Sequence, residues 1–523
     1  MIRYLRTRQR LVLSVVVMGG FLLGCFAFGV AATRDLYVGV VPVGAMFALV
    51  VYWAKPELMV WIALFYMFGA LPIGLYVGKV LGPVTIFVWH VVLLTAIAYL
   101  IQLVRPRFSD YLPPAILLLT IVYFTAIGFA DGHSAEAILH EVACLCEMLA
   151  GYLLAMLIVY GDYVKGATQT LILAMWFSAA MVILSSSLGL RLTGRFETIG
   201  ESTTGGSVTR LIVPTTAPAI AVLAALMAAK VLGRVRPATF FALGVPALII
   251  SLVAFSRGTL IVIGLAGVVA FFAKPSWPTL RRAATFAVTS AALLAAMLPA
   301  AMFLLQHSKA GAWLGHQLAG FDYRVLGGVK ASALAVDDST QYRLVENADL
   351  GREIAKAPVF GHGLGYAYRL PFGDEGSGSD AFGFDSFTVL LGTTYAHNFY
   401  LWWLVKAGAV GMVVFAWFAL RPVLRALRSA STPAKIAGAV SVGLLVLNIV
   451  GPNIEDTPDS VVYGMVLGSA MGFANLARRR KDDPDGADLD DGATDDITQP
   501  IPLLVGGPAA PAPRRAKHST QPR

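Results

Sequence analysis

The sequence predicts an all-α, polytopic transmembrane helical bundle of about 12–14 spans with one large extracytoplasmic loop. Three observations carry that prediction. Over 523 residues, 57% are hydrophobic and only 14% charged, and a mean hydropathy of +0.72 is far too high for a soluble globule of this size. Nearly uncharged windows of about 18 or more residues recur along almost the whole chain, each long enough to cross a hydrocarbon core of roughly 30 Å. These windows are unbroken apolar runs, unlike the ten-residue alternation of a barrel, and a helix satisfies its own backbone amides in lipid.

Taken in order, Met1 to Arg10 carries four arginines and leads into an apolar run ending near Ala32. It looks like a signal peptide, but the apolar stretch is longer than usual for one, so an uncleaved first span is expected. Spans follow near 11–31, 36–53, 58–78, 84–104, 112–130, 138–160, 170–189, 211–230, 238–255, 258–273, 283–305, 397–419, 434–451 and 459–477. With the N-terminus inside, the connections holding Arg105-Pro106-Arg107, Lys230 to Arg236, Lys274 to Arg282, Arg421 to Arg428 and Arg478 to Lys481 all fall on the cytoplasmic side, as the positive-inside rule requires. One missed span would invert every later loop, so this agreement supports the parity of the count more than the count itself. The expected place is an inner membrane, with both termini cytoplasmic.

The net charge of +9 is explained by these orientation signals, and no nucleic-acid partner is expected. Cys25, Cys144 and Cys146 lie in apolar segments with no zinc or disulfide pattern. The membrane domain is expected over 1–477. Beyond it, 478–523 is rich in Asp, Gly, Pro and Ala and cannot bury a core, so a disordered cytoplasmic tail is expected. Its acidic cluster is read as solvated rather than as a metal site. No metal, no cofactor and no internal repeat are expected.

Among the outer connections, 306–396 is about ninety residues, and loops of that length are functional or disordered. Tyr342 to Ala355 places Leu344, Val345, Ala348 and Ile354 near one helical face and Pro358 ends the run, which predicts a helix lying at the membrane surface. The stretch Gly361-His362-Gly363-Leu364-Gly365 looks like a dinucleotide fingerprint but has no strand and helix flanking it in the required order. Its glycines are expected to turn tightly or to approach a ligand. Arg257, between two apolar runs at an outer turn, is either a snorkelling side chain or a functional cation. His397, at an outer helix start, is placed for acid–base work, although position alone favours an interfacial hydrogen-bonding role.

The span ending Ser256-Arg257-Gly258, then Tyr342-Arg343 leading into Ala357-Pro358-Val359-Phe360-Gly361-His362-Gly363-Leu364-Gly365, then His397-Asn398 with Gly408 and Gly411 downstream, resembles the O-antigen ligase and polysaccharide polymerase family of bacterial membrane glycosyltransferases. The resemblance covers roughly 200–450. It implies that a glycan carried on polyprenyl pyrophosphate is moved to a glycan, lipid or protein acceptor at the outer face of the membrane. The site it implies is Arg257, Arg343 and His397. Guanidinium forks suit a pyrophosphate leaving group without a metal, and the histidine serves as general base or only orients the acceptor. Direct displacement inverts the anomeric centre, since no covalent nucleophile presents itself. For Arg343 the plain alternative is a salt bridge to Glu346, one turn away. Arg191, Arg195 and Arg210 crowd an earlier outer loop and are expected, with Asn398, Gly361 and Gly363, to contact substrate. His362, Asp380 and Asp385 are further loop candidates that nothing selects.

Two other classes compete. A transporter or flippase of lipid-linked glycans also needs arginines, but should bury charges mid-span, where the sequence shows few. An enzyme using polyprenyl monophosphate sugars often carries acidic residues in its first outer loop, and the first and third spans are followed by only Asp35 and by none.

Overall fold

A computed structural model of the chain describes residues 50–75, 78–81, 84–104, 106–199, 208–233, 235–285, 309–322, 338–368, 394–451 and 459–482, with a few isolated positions between them. Eleven of the fourteen expected spans lie in these residues, and each holds an apolar helix: six of at least 18 residues and five shorter, eleven together. In chain order the helices are α1 (Glu57–Phe68), α2 (Val88–Val104), α3 (Phe108–Ala130), α4 (Ala135–Tyr160), α5 (Val164–Leu188), α6 (Thr216–Leu232), α7 (Pro237–Ala254), α8 (Arg257–Ala273), α9 (Lys309–Phe321), α10 (Asp338–Lys356), α11 (Phe399–Arg428), α12 (Thr432–Leu447) and α13 (Asp459–Asp482). The chain is thus an all-α, multi-pass membrane protein. The spans expected at 11–31 and 283–305, nearly all of 36–53, Asp380 and Asp385, and the tail from 483 onward lie outside the described residues.

Three details depart from expectation. α1 ends at Phe68 instead of running to 78, because Gly69 caps it and Pro72 cannot extend a helix. Among the described residues there are also two antiparallel hairpins, β1 (Gly78–Leu81) with β2 (Val84–Phe87), and β3 (Arg195–Ile199) with β4 (Val208–Ile212). The second occupies the connection expected as an outer loop at 191–210, and Thr193, Leu211 and Val213 bury its base against the bundle. α13 runs on to Asp482, past the boundary expected at 477.

α4 is the axis of the bundle and packs most closely on α13. A Cβ at Gly464 would lie 1.8 Å from the Met148 carbonyl oxygen, one at Gly468 2.1 Å from that of Tyr152, and one at Gly151 2.2 Å from that of Val461. Glycines four residues apart on α13 therefore let the two backbones touch, the small-residue packing of membrane helices.

Charges buried within the spans are more numerous than the sequence suggests. Lys406 on α11 is fully buried, and Glu141 and Glu147 on α4 and Asp110 on α3 are nearly so. Each is met by a partner: Lys406 with Glu141 at 2.6 Å, His90 with Glu147 at 2.8 Å, and Arg479 with Asp110 at 3.0 Å. An uncompensated charge at this depth costs several kcal/mol, and pairing across helices is what makes them tolerable. Inspection of one segment at a time cannot reveal that.

Candidate active site at the loop end of the bundle

The site is built where α11 begins. Asn398 is the N-cap, its Oδ1 accepting the amide hydrogens of Tyr400 (3.2 Å) and Leu401 (3.3 Å), which satisfies two of the helix's four free donors. Asn398, expected to contact substrate, thus has its side-chain oxygen engaged in starting the helix. His397, just before it, is half-buried. Its main-chain N–H donates to Glu346 Oε2 at 2.9 Å, and its ring Nδ1 lies 3.1 Å from the same oxygen. Glu346, on α10, is only 1% exposed. Tyr368 adds its hydroxyl, 3.2 Å from Glu346 Oε1 and 2.5 Å from the Tyr395 carbonyl oxygen. The rings of Tyr342 and Tyr395 stand edge-on to the imidazole, with centroids at 5.8 and 5.6 Å.

The glycine-rich stretch explains how α10 comes to lie over the start of α11. Gly408 has φ +60° and interrupts α11. In an unbroken helix Ala409 and Val410 would donate to the carbonyls of Val405 and Lys406. Here they donate instead to Pro358 (2.9 Å) and Val359 (3.1 Å), while Val405 and Lys406 accept from the amides of His362 and Gly363, both at 2.9 Å. The loop replaces two helix bonds with four of its own, so no backbone group is orphaned. A Cβ at Gly361 would stand 2.5 Å from the Lys406 carbonyl carbon, and one at Gly363 2.7 Å from the Gly128 amide nitrogen. Both glycines do make a close backbone approach, but to α11 and α3 of this chain, and this accounts for them without a ligand.

The loop is pinned further by the buried pair: Glu141 Oε2 accepts from the Gly365 amide at 2.6 Å, and Lys406 Nζ donates to the Tyr366 carbonyl oxygen at 2.6 Å. His362 stacks on Tyr366 at 4.1 Å and is hydrogen-bonded to the Glu353 carbonyl oxygen at 3.1 Å. Glu353 is held below the ordinary carboxylate range by its bond to Lys356, helped by the Tyr366 hydroxyl, while burial and the facing carboxylate push Tyr366 up to about 12.

α10 is helical where the sequence places a helix, and Ile354 of its expected apolar face is half-buried against the core. Leu344, Val345 and Ala348 are exposed, whereas Glu346 and Leu350 are buried. The polar side is inside because it carries the partner of His397.

The arginines divide. Arg257 is the first residue of α8, half-buried after the turn at Ser256. A Cβ at the neighbouring Gly258 would meet Leu447 Cδ1 at 2.3 Å, and the next residue, Asn448, accepts the Phe399 amide at 3.0 Å. The Arg257 turn and the His397 start therefore abut the same end of α12. Arg210 joins them, donating from Nε to the Ala254 carbonyl oxygen at 2.8 Å. Arg343 is half-buried one turn before Glu346 on α10. Arg191 and Arg195 are exposed at the base of the β3–β4 hairpin. Sequence reasoning missed Glu346 as a partner of His397, and it missed Tyr368, Glu141 and Lys406 altogether; a charged residue inside an apolar run was the available signal for the last two.

These features define a multi-pass membrane protein with a carboxylate-held histidine and arginines gathered at one end of the bundle. Residues 238–416 match the family model described as O-antigen ligase, in line with the resemblance to the O-antigen ligase and polysaccharide polymerase family. The matched region, narrower than the 200–450 expected, contains Arg257, Arg343, the glycine-rich loop, His397 and Gly408. No curated protein matches the chain.

Proposed function

We propose that the protein transfers a glycan from a polyprenyl-pyrophosphate carrier to a glycan, lipid or protein acceptor at the outer face of the bacterial inner membrane, by direct, inverting and metal-independent displacement. The observation that carries the reading is the open pair at His397: one ring nitrogen faces a buried carboxylate, and no hydrogen bond among the described residues engages the other. Nε2 is then the atom that takes the acceptor's proton. Arg257 supports the same reading. A cation in the first turn of a helix opposes the helix dipole, and an anion bound there resolves the conflict, because the guanidinium and the helix amides then act together. Arg343 and Arg210 are the further cations for the pyrophosphate, and Arg191 and Arg195 are peripheral contacts for donor or glycan. Stabilising the departing pyrophosphate is the larger part of the work, as it is a good leaving group once its charge is met.

The test is reconstitution in vesicles with a polyprenyl-pyrophosphate-linked oligosaccharide, with and without chelator, following released polyprenyl pyrophosphate and glycan length by mass spectrometry. The expected result is chelator-indifferent release, reduced by about 10²–10⁴-fold in His397→Ala with donor binding retained. Passage of unchanged lipid-linked glycan across the bilayer would instead support a transporter.

A further inference from the structure

The geometry assigns Glu346 as the positioning residue that holds His397 in the one ring state able to accept a proton. The inference rests on the proposed role of His397 and adds to it a residue on a different element, 51 positions away in sequence.

The hold is a two-point one. A single carboxylate oxygen of Glu346 receives the His397 main-chain N–H at 2.9 Å and faces its ring Nδ1 at 3.1 Å, so the backbone and the ring of the same residue are referred to one atom. A carboxylate only accepts, so Nδ1 carries the hydrogen and the lone pair of the neutral ring resides on Nε2. The carboxylate itself is confined: it is 1% exposed, and the Tyr368 hydroxyl, 2.5 Å from the Tyr395 carbonyl oxygen, lies 3.2 Å from its other oxygen. Tyr342 and Tyr395 flank the imidazole edge-on and restrict rotation about the side chain. The long-range register is set by the loop that fills the break at Gly408, which fixes the end of α10 against α11, the helix that His397 precedes.

In the reaction the acceptor oxygen forms its bond to the anomeric carbon, and the bond from that carbon to the pyrophosphate oxygen breaks with its electron pair leaving on polyprenyl pyrophosphate. The acceptor's proton passes to Nε2. The ring is then an imidazolium, and the Glu346 charge beside Nδ1 stabilises it at that moment; without the charge the same proton transfer is uphill. A buried carboxylate that merely capped a loop would need contact with the main-chain N–H alone.

The experiment compares wild type, Glu346→Gln, His397→Gln and the double variant in vesicles supplied with a polyprenyl-pyrophosphate-linked oligosaccharide, and records the ¹⁵N-histidine spectrum of the wild-type protein. Glu346→Gln is expected to lower kcat by about 10- to 10³-fold with KM for the lipid donor changed no more than about twofold, since the loss falls on the transition state and not on binding. The double variant is expected to be no slower than His397→Gln alone. The wild-type spectrum is expected to show His397, identified by its disappearance in His397→Gln, as the Nδ1–H tautomer at neutral pH. Wild-type kcat in Glu346→Gln while His397→Gln is inactive would overturn the assignment of Glu346 and leave the base intact. Wild-type kcat in His397→Gln would overturn both. Should Glu346→Gln not fold, the spectrum decides: an Nε2–H tautomer contradicts the inference.

Discussion

Two carboxylate–base pairs sit near the start of α11, and they are built to opposite ends. In the first, Lys406 and Glu141 are 2.6 Å apart and essentially without solvent contact, and their remaining bonds go to the Tyr366 carbonyl and the Gly365 amide. In the second, Glu346 is equally buried, but the His397 side chain is 29% exposed, with one nitrogen turned to the carboxylate. The closed pair joins α4, α11 and the glycine-rich loop and has no atom left for a substrate. The open pair keeps one. In the proposed reading the first pair is a fastening and the second a base with one ring nitrogen left for the acceptor.

The largest effect that sharpens this contrast is on stability at the closed pair. Lys406→Met leaves the Glu141 carboxylate buried without its cation and is expected to destabilise the protein by about 3–5 kcal/mol, seen as a lowered thermal midpoint in detergent. Adding Glu141→Gln removes the orphaned charge while keeping an acceptor for the Gly365 amide, and should recover much of the loss. Gly408→Ala comes next. Its Cβ would stand 2.3 Å from the Val359 carbonyl oxygen at a φ of +60°, a strain of roughly 1–3 kcal/mol. Hydrogen exchange should then rise at the amides of His362, Gly363, Ala409 and Val410 together, since the four bonds are one device. The smallest effect is at Glu353. Its carboxyl is held below the ordinary value of 4.5 by Lys356 and Tyr366, so its stabilisation is present above the unfolded value and is lost as pH falls through the folded one. Glu353→Gln should cost less than about 1 kcal/mol at pH 7 and nothing in acid below the carboxylate range, which thermal unfolding at both pH values will show.

Much of the bundle is legible in the sequence because a membrane span is a local property: eleven apolar runs announce eleven helices through length and hydropathy alone. Arg257 and His397 are likewise visible, as charged or ionisable groups at span ends. Their partners are not. Glu346 appears in sequence only as a one-turn neighbour of Arg343, because nothing local says that residue 346 will meet residue 397. The inward side of α10 is equally hidden: Leu344, Val345 and Ile354 announce an apolar face, but the burial of Glu346 depends on the loop docking into the break at Gly408. The glycines of that loop are visible as glycines, yet what they approach is backbone from two other helices, which spacing within the loop cannot disclose.

The contrast between the two pairs is tested most directly by measuring transfer from a polyprenyl-pyrophosphate-linked oligosaccharide, in the same vesicles, by the Glu141→Gln/Lys406→Met double variant and by His397→Ala. A fastening can be replaced by a neutral one, so the double variant is expected to turn over within a few-fold of wild type once inserted, whereas His397→Ala loses turnover by about 10²–10⁴-fold. An inserted double variant that binds donor but does not transfer, beside an active His397→Ala, would contradict the account and move the chemistry to the buried pair.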